Sequence, residues 1–154
     1  MEEVNVSVLF DRGEVLENAA GRTVEEIYRF VCSSIQIPSG LTAEGLAQEL
    51  VQREEILSTA VGNGIAIPHP RYPLVKNERE SKIVVAYVNE PIDMNAPDVR
   101  KVYVMFIILS ASSRHHIHVL TSLAELFKNK EFRDALQKKP GKTELLALLK
   151  QFGL

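Results

Sequence analysis

Apolar and polar positions change period several times along the chain, and each change marks an element. Val4, Val6, Val8 and Phe10 fall at every second position, the period of a half-buried strand, and Asp11-Arg12-Gly13 then reads as a turn. From Thr23 the period becomes helical. Thr23 with Glu26 makes a capping box, Ile27, Phe30, Val31, Ser34 and Ile35 recur on one face, and Pro38 and Gly40 stop the run. Thr42 caps a second helix whose stripe of Ala43, Leu46, Ala47, Leu50 and Val51 carries it to about Glu54 or Glu55, which puts Arg53 in its last turn. A glycine-punctuated loop over 58–64 leads into a short buried strand, Ile65-Ala66-Ile67, that Pro68-His69-Pro70 ends abruptly. The runs Ile83 to Val88 and Val102 to Leu109 do not alternate, so both of their faces must be covered, as in the inner strands of an α/β sheet. Helices to cover them follow: Ile117, Leu120, Leu123, Ala124 and Phe127 after a Ser112-Ser113 cap, Phe132 to Leu136, and Leu145 to Leu149 after Pro140-Gly141. With no internal repeat, low-complexity tract or linker, these layers make one α/β sandwich over 1–154.

The composition, 45% hydrophobic and 25% charged, is that of an ordinary soluble globular domain. Its charge narrows the partners: 18 basic against 20 acidic residues give a net charge of -2, with no electrostatic footprint for nucleic acid or anionic membrane. The longest apolar runs fall far short of the roughly 20 residues of a membrane helix, so direct membrane insertion is not expected. Cys32 is the single cysteine, and the start MEEVNVSVLF has no basic segment followed by a long apolar run; a reducing cytoplasm is the expected compartment.

The strongest local chemical signal is Gly62-Asn63-Gly64-Ile65-Ala66-Ile67-Pro68-His69, where a titratable side chain meets a rigid turn. Pro68 fixes its own φ, Pro70 biases His69 away from the α region, and the two glycines allow close backbone approach. An imidazole with a pKa near 6.5 is partly neutral at pH 7 and can act as a nucleophile. On this octapeptide alone, a histidine exposed in a turn by chance fits equally well. A second group is Arg114-His115-His116-Ile117-His118 at a helix start. His116 precedes Leu120, Leu123 and Phe127 by 4, 7 and 11 residues and shares their inward stripe, whereas His118 points away and His115 lies to the side. A histidine there either donates to an anion held at the helix N-terminus or is simply bonded to backbone. The three histidines fan around the helix, without the i, i+4 pair or added Cys or Asp ligands of a zinc site. Cys32, near an apolar stripe, reads as a buried thiol.

Arg53-Glu54, Ser58-Thr59 and Val61 through His69, at their spacing, resemble the active-site signature of the IIA domain of the fructose/mannitol type in the bacterial phosphoenolpyruvate-dependent phosphotransferase system, including its nitrogen-related regulatory branch. His116-Ile117 with Leu120, Leu123 and Ala124 looks like the family's second histidine and its helix, and Pro91-Ile92 followed by Asp98 matches the region before the central strand. The resemblance implies a phosphotransferase working through phosphohistidine. A phosphorylated HPr-type carrier docks and His69 attacks in line through Nε2. Arg53 neutralises phosphoryl charge, and His116 hydrogen-bonds the group or steadies His69. No metal or cofactor is implied. Two departures stand out: Pro70 replaces the small residue that usually follows the histidine, and the first 20 or so residues match poorly.

Three functions follow. The first is a regulatory, nitrogen-type IIA protein acting on a target protein, expected because no IIB, IIC or HPr-like portion is fused to the domain. The second is a fructose/mannitol-type uptake component that passes phosphate to a IIB cysteine. The third is an interaction module without phosphotransfer. The expected fold is a three-layer α/β sandwich whose mixed, mostly parallel sheet of about five strands carries helices on both faces.

Overall fold

The computed structural model, which describes residues 5–154, opens on a helix where the two-residue period predicts a strand. Helix α1 spans Val6–Arg12; Val4 lies outside the described residues. Val6, Leu9 and Phe10 also fit the three- and four-residue spacing of a helix face, and Asn5 caps the helix by accepting from the Ser7 N–H at 3.0 Å. Phe10 packs edge-on against Phe106 with 5.9 Å between ring centroids, while Val8 is left 41% exposed. Packing of Val6, Leu9 and Phe10 against the sheet decides between two periods that the segment satisfies alike. The expected turn at 11–13 is the tail of α1 and its Gly13 cap, whose N–H donates to the carbonyls of Leu9 and Phe10.

The first strand comes later, as β1 (Val15–Ala19), and its exposed Glu17 and Asn18 hide it from any hydrophobic pattern. Helices α2 (Val24–Ser34) and α3 (Ala43–Ile56) begin where their caps predict: Thr23 and Glu26 exchange both bonds of the capping box, and Thr42 accepts from Gly45. Toward the core α2 turns Ile27, Tyr28, Val31 and Cys32 rather than the expected Phe30.

The stretch expected as a loop contains a hairpin of β2 (Ala60–Gly62) and β3 (Ile65–Ala66). Its two turn residues, Asn63 and Gly64, have φ of 57° and 79°, the positive pair that a type I′ turn requires. At Gly64 a Cβ would meet Cδ1 of Tyr103 at 2.6 Å. Gly64→Ala should therefore cost roughly 2–3 kcal/mol, backbone strain plus displacement of the tyrosine ring, read as a lowered urea midpoint at unchanged m. A midpoint equal to wild type would show that this turn is not fixed as described.

A 3₁₀ turn at Glu78–Glu80 leads into β4 (Lys82–Ile92), followed by β5 (Val102–Leu109), α4 (Ser113–Phe127), α5 (Lys130–Leu136) and α6 (Lys142–Gln151). The five strands form one mixed sheet in the order β1-β4-β5-β3-β2, with parallel β1–β4 and β3–β5 ladders and antiparallel β4–β5 and β2–β3 ladders. Val84, Ala86 and Val88 face α2 and α3; Ile83, Val85 and Tyr87 face α1, α4, α5 and α6. Both faces of the two apolar strands are covered, giving the expected three layers. On α4 the inward residues are Val119, Leu123, Leu126 and Phe127, whereas Ile117 is 62% exposed and Ala124 is also exposed, contrary to the stripe read from spacing. Among the described residues no helix is long and apolar enough to cross a membrane.

Candidate active site

Parallel pairing of β3 with β5 is what assembles the site. Ile65 lies opposite Val104 and Ala66 opposite Met105, so both strands leave the sheet at the same edge. Beyond β3 the contact continues, with the Ile108 N–H donating to the Pro68 carbonyl at 2.9 Å, and His69 follows. Beyond β5, Ser112 caps α4 by accepting from the His115 N–H, and the first turn of that helix carries His116. The two imidazoles meet with ring centroids 4.5 Å apart and planes inclined by 53°. Both rings are half-buried.

A backbone carbonyl fixes the orientation of His69. Nδ1 lies 2.8 Å from the carbonyl oxygen of Ile67, which can only accept. Nδ1 therefore carries the proton, and the lone pair is on Nε2. Burial lowers the pKa of His69, helped by the Arg53 charge, while the Ile67 bond and Glu54 act the other way. His116 is pushed down to about 4 by burial, by the neighbouring His69 and by Arg53. Both rings are accordingly neutral at pH 7.

Arg53, in the last turn of α3, is half-buried and close enough for its charge to act on both imidazoles. One arm, Nη1, donates to the Leu57 carbonyl at 2.6 Å, so it also serves the helix end, the plain structural role open to such a residue. His69, His116 and Arg53 thus come together. His115 turns aside to Glu78 with Nδ1–Oε2 at 3.0 Å, and Cys32 is a buried thiol pushed up to about 11, unsuited to nucleophilic work.

Two supporting residues lie within the quoted motifs, yet nothing in the sequence gave them a role. The Asp98 carboxylate accepts from the N–H of Asn63 at 2.8 Å and of Arg100 at 3.1 Å, pinning the hairpin turn, and these bonds hold it below the usual carboxylate range. Glu54 accepts from the Thr59 N–H and hydroxyl at 2.6 and 2.7 Å. Pro70 is buried and, with Tyr72, Ser110, Ser113 and His116, lines a small cleft of about 40 Å³.

Residues 8–152 match the family described as phosphoenolpyruvate-dependent sugar phosphotransferase system, EIIA 2. The chain belongs to this family. Among its relatives, the nitrogen regulatory protein of Pseudomonas aeruginosa is 29% identical over 143 residues, covering 89% of each chain. The multiphosphoryl transfer protein of Escherichia coli O157:H7 is 29% identical over 150 residues, but the chain spans only 18% of that relative's length. Solved EIIA structures agree with the fold: the nitrogen regulatory protein IIA-Ntr of Neisseria meningitidis superposes with a TM-score of 0.76 at 28% identity, covering 90% of this chain and 93% of that one. IIA mannitol of Escherichia coli gives 0.66 at 21%, covering 88% and 95%. The family that the chain belongs to is one of phosphotransfer-system domains.

The lowered histidine pKa values fix a sign for acid stability. Below its ordinary pKa each histidine would take a proton more readily in the unfolded chain than in the fold, so stability is constant above about pH 6.5 and declines toward pH 4. For His116 the decline should reach about 2 kcal/mol after discounting for solvent at a half-buried ring. His116→Gln should flatten the fall in urea midpoint between pH 7 and 4.5; a variant profile parallel to wild type would contradict the shift.

Proposed function

We propose that this EIIA domain carries a phosphoryl group on Nε2 of His69, received from an HPr-type histidine phosphocarrier protein, and acts as a regulatory, nitrogen-type protein that binds a target according to its phosphorylation state. The observation that carries the chemistry is the Nδ1–Ile67 bond, which leaves the Nε2 lone pair available beside His116 and Arg53. In the transfer a phosphorus–nitrogen bond forms at Nε2 as the carrier's breaks, and the departing electron pair stays with the carrier's imidazole. The proton on Nδ1 remains, so the phosphorylated ring is cationic and the Ile67 carbonyl faces that charge. Phosphoryl transfer asks a protein mainly for alignment and charge stabilisation, which a neutral imidazole donor and a guanidinium fork supply.

A protein donor must reach the ring, and the rim suits one. Leu57, whose carbonyl Arg53 holds, is 70% exposed; Tyr72, on the cleft beside His116, is 60% exposed; Ile117 follows His116 directly. Exposed apolar side chains grouped in this way favour a docking partner over a small molecule.

The regulatory branch is supported by likeness to the Pseudomonas nitrogen regulatory protein over nearly the full length of both chains. The alternative, a IIA component handing phosphate to a IIB cysteine, draws on a 25% identical relative, the mannitol-specific EIICBA component of Pasteurella multocida. To separate them, the domain is phosphorylated with phosphoenolpyruvate and the two general upstream proteins, then mixed with fructose- and mannitol-type IIB domains. The regulatory reading expects the phosphoryl group to stay on His69; rapid transfer to a IIB cysteine would establish the transport reading instead.

A further inference from the structure

The geometry points to Glu54 as a positioning residue that fixes the ring of His69 through Thr59 and Ile67. This rests on the phosphocarrier reading for its consequence in transfer, though not for its structural content. The Glu54 carboxylate takes the N–H and the hydroxyl of Thr59, and the hydroxyl of Tyr28 from α2. Thr59 is buried, and its carbonyl accepts from the Ile67 N–H at 2.9 Å. The Ile67 carbonyl in turn accepts from Nδ1 of His69 at 2.8 Å. Each residue in this series is held on one side and holds the next on the other, so the position of one carboxylate is transmitted across two peptide units to an imidazole.

Three features make the series more than general packing. Strand β3 contains only Ile65 and Ala66, so Ile67 lies past the ladder and its N–H depends on Thr59. Tyr28 is fully buried with its hydroxyl pushed well above the ordinary range by burial and by Glu54, so it stays a donor and ties the carboxylate to the core. And Glu54 follows Arg53 directly: the two adjacent side chains act on His69 with opposite charge, one through space and one also through this hydrogen-bond series. If Thr59 is released, the Ile67 carbonyl can drift from Nδ1. The ring then populates the Nε2–H tautomer that free histidine side chains favour, and the nucleophilic lone pair leaves the phosphoryl-facing nitrogen.

The test combines nitrogen NMR of histidine-labelled protein, which reads the tautomer of His69 directly, with single-turnover transfer from the phosphorylated carrier. Wild type should show Nδ1–H. Glu54→Gln, which keeps shape but presents an amide to a donor, should give a mixed tautomer and a transfer rate lower by on the order of tenfold at unchanged half-saturation by the carrier. Thr59→Val, which loses the hydroxyl and keeps the N–H, should shift the tautomer in the same direction by less. Leu149→Ala, a core truncation on α6 that touches none of these hydrogen bonds, should lower stability and leave the tautomer at wild type. Wild-type tautomer and rate in folded Glu54→Gln would overturn the inference; if that variant does not fold, an unshifted tautomer in Thr59→Val does the same. A tautomer shift in Leu149→Ala would also overturn it, by showing mere loosening. A wild-type protein that shows Nδ1–H yet takes no phosphate would sink the phosphocarrier reading and leave the positioning intact.

Discussion

His69→Ala is expected to take up no phosphoryl group from the phosphorylated carrier while folding as wild type does. The side chain is half-buried at the end of a loop and its removal leaves the Ile67 carbonyl free to find water, so the urea midpoint should move little. Among the described residues none nearby is placed to replace the nucleophile. His116, 4.5 Å away, is pushed down to about 4 and sits in a helix first turn rather than on the rigid proline-bracketed segment; His115 is bonded to Glu78; the Cys32 thiol is buried. Intact mass after incubation with phosphoenolpyruvate and the upstream proteins reads the outcome. A full gain of one phosphoryl group by the variant would move the chemistry to another residue.

The second large effect concerns the charge that develops on the phosphoryl oxygens. Removing one preorganised donor at such a site typically costs 10²–10³ in rate, so His116→Ala should slow transfer by about a hundredfold. Arg53→Lys should cost a similar factor although the charge is kept. One arm of the guanidinium is committed to the Leu57 carbonyl, leaving further N–H groups of the same rigid fork for the phosphoryl group. An ammonium gathers its three donors on one atom and lacks the span of the fork, so it serves the two acceptors less well. Rapid-quench measurement of transfer checks both variants. A wild-type rate in His116→Ala would remove His116 from the mechanism, and one in Arg53→Lys would show that fork geometry is unimportant.

Much of this was legible in the sequence because the decisive signals were local. The capping box at Thr23, the unbroken apolar runs of β4 and β5, and the motif ending at His69 each depend on neighbours within a few positions. The misreadings share a different cause. The N-terminal segment satisfies a two-residue and a helical period equally, and packing of Val6, Leu9 and Phe10 against β4, β5 and α6 decides for the helix. Strand β1 has no pattern of its own, since its parallel partner β4 supplies the ladder and its Glu17 and Asn18 face solvent. On α4 the stripe through Ile117 and Ala124 competes with the one through Val119 and Leu126, and how the helix lies on the sheet selects the latter. The site shows the same division. Residues 53, 69 and 116 carry recognisable chemistry, but Glu54 acts through backbone groups of Thr59 and Ile67, and backbone hydrogen bonds leave no mark in side-chain spacing.

The most direct test of the central claim is nitrogen and phosphorus NMR of the protein after phosphorylation by the carrier. A single phosphoryl group bonded to Nε2 of His69, with Nδ1 still protonated, is the result required by the Ile67 bond. Phosphate on Nδ1, on another side chain, or on no residue at all would contradict it.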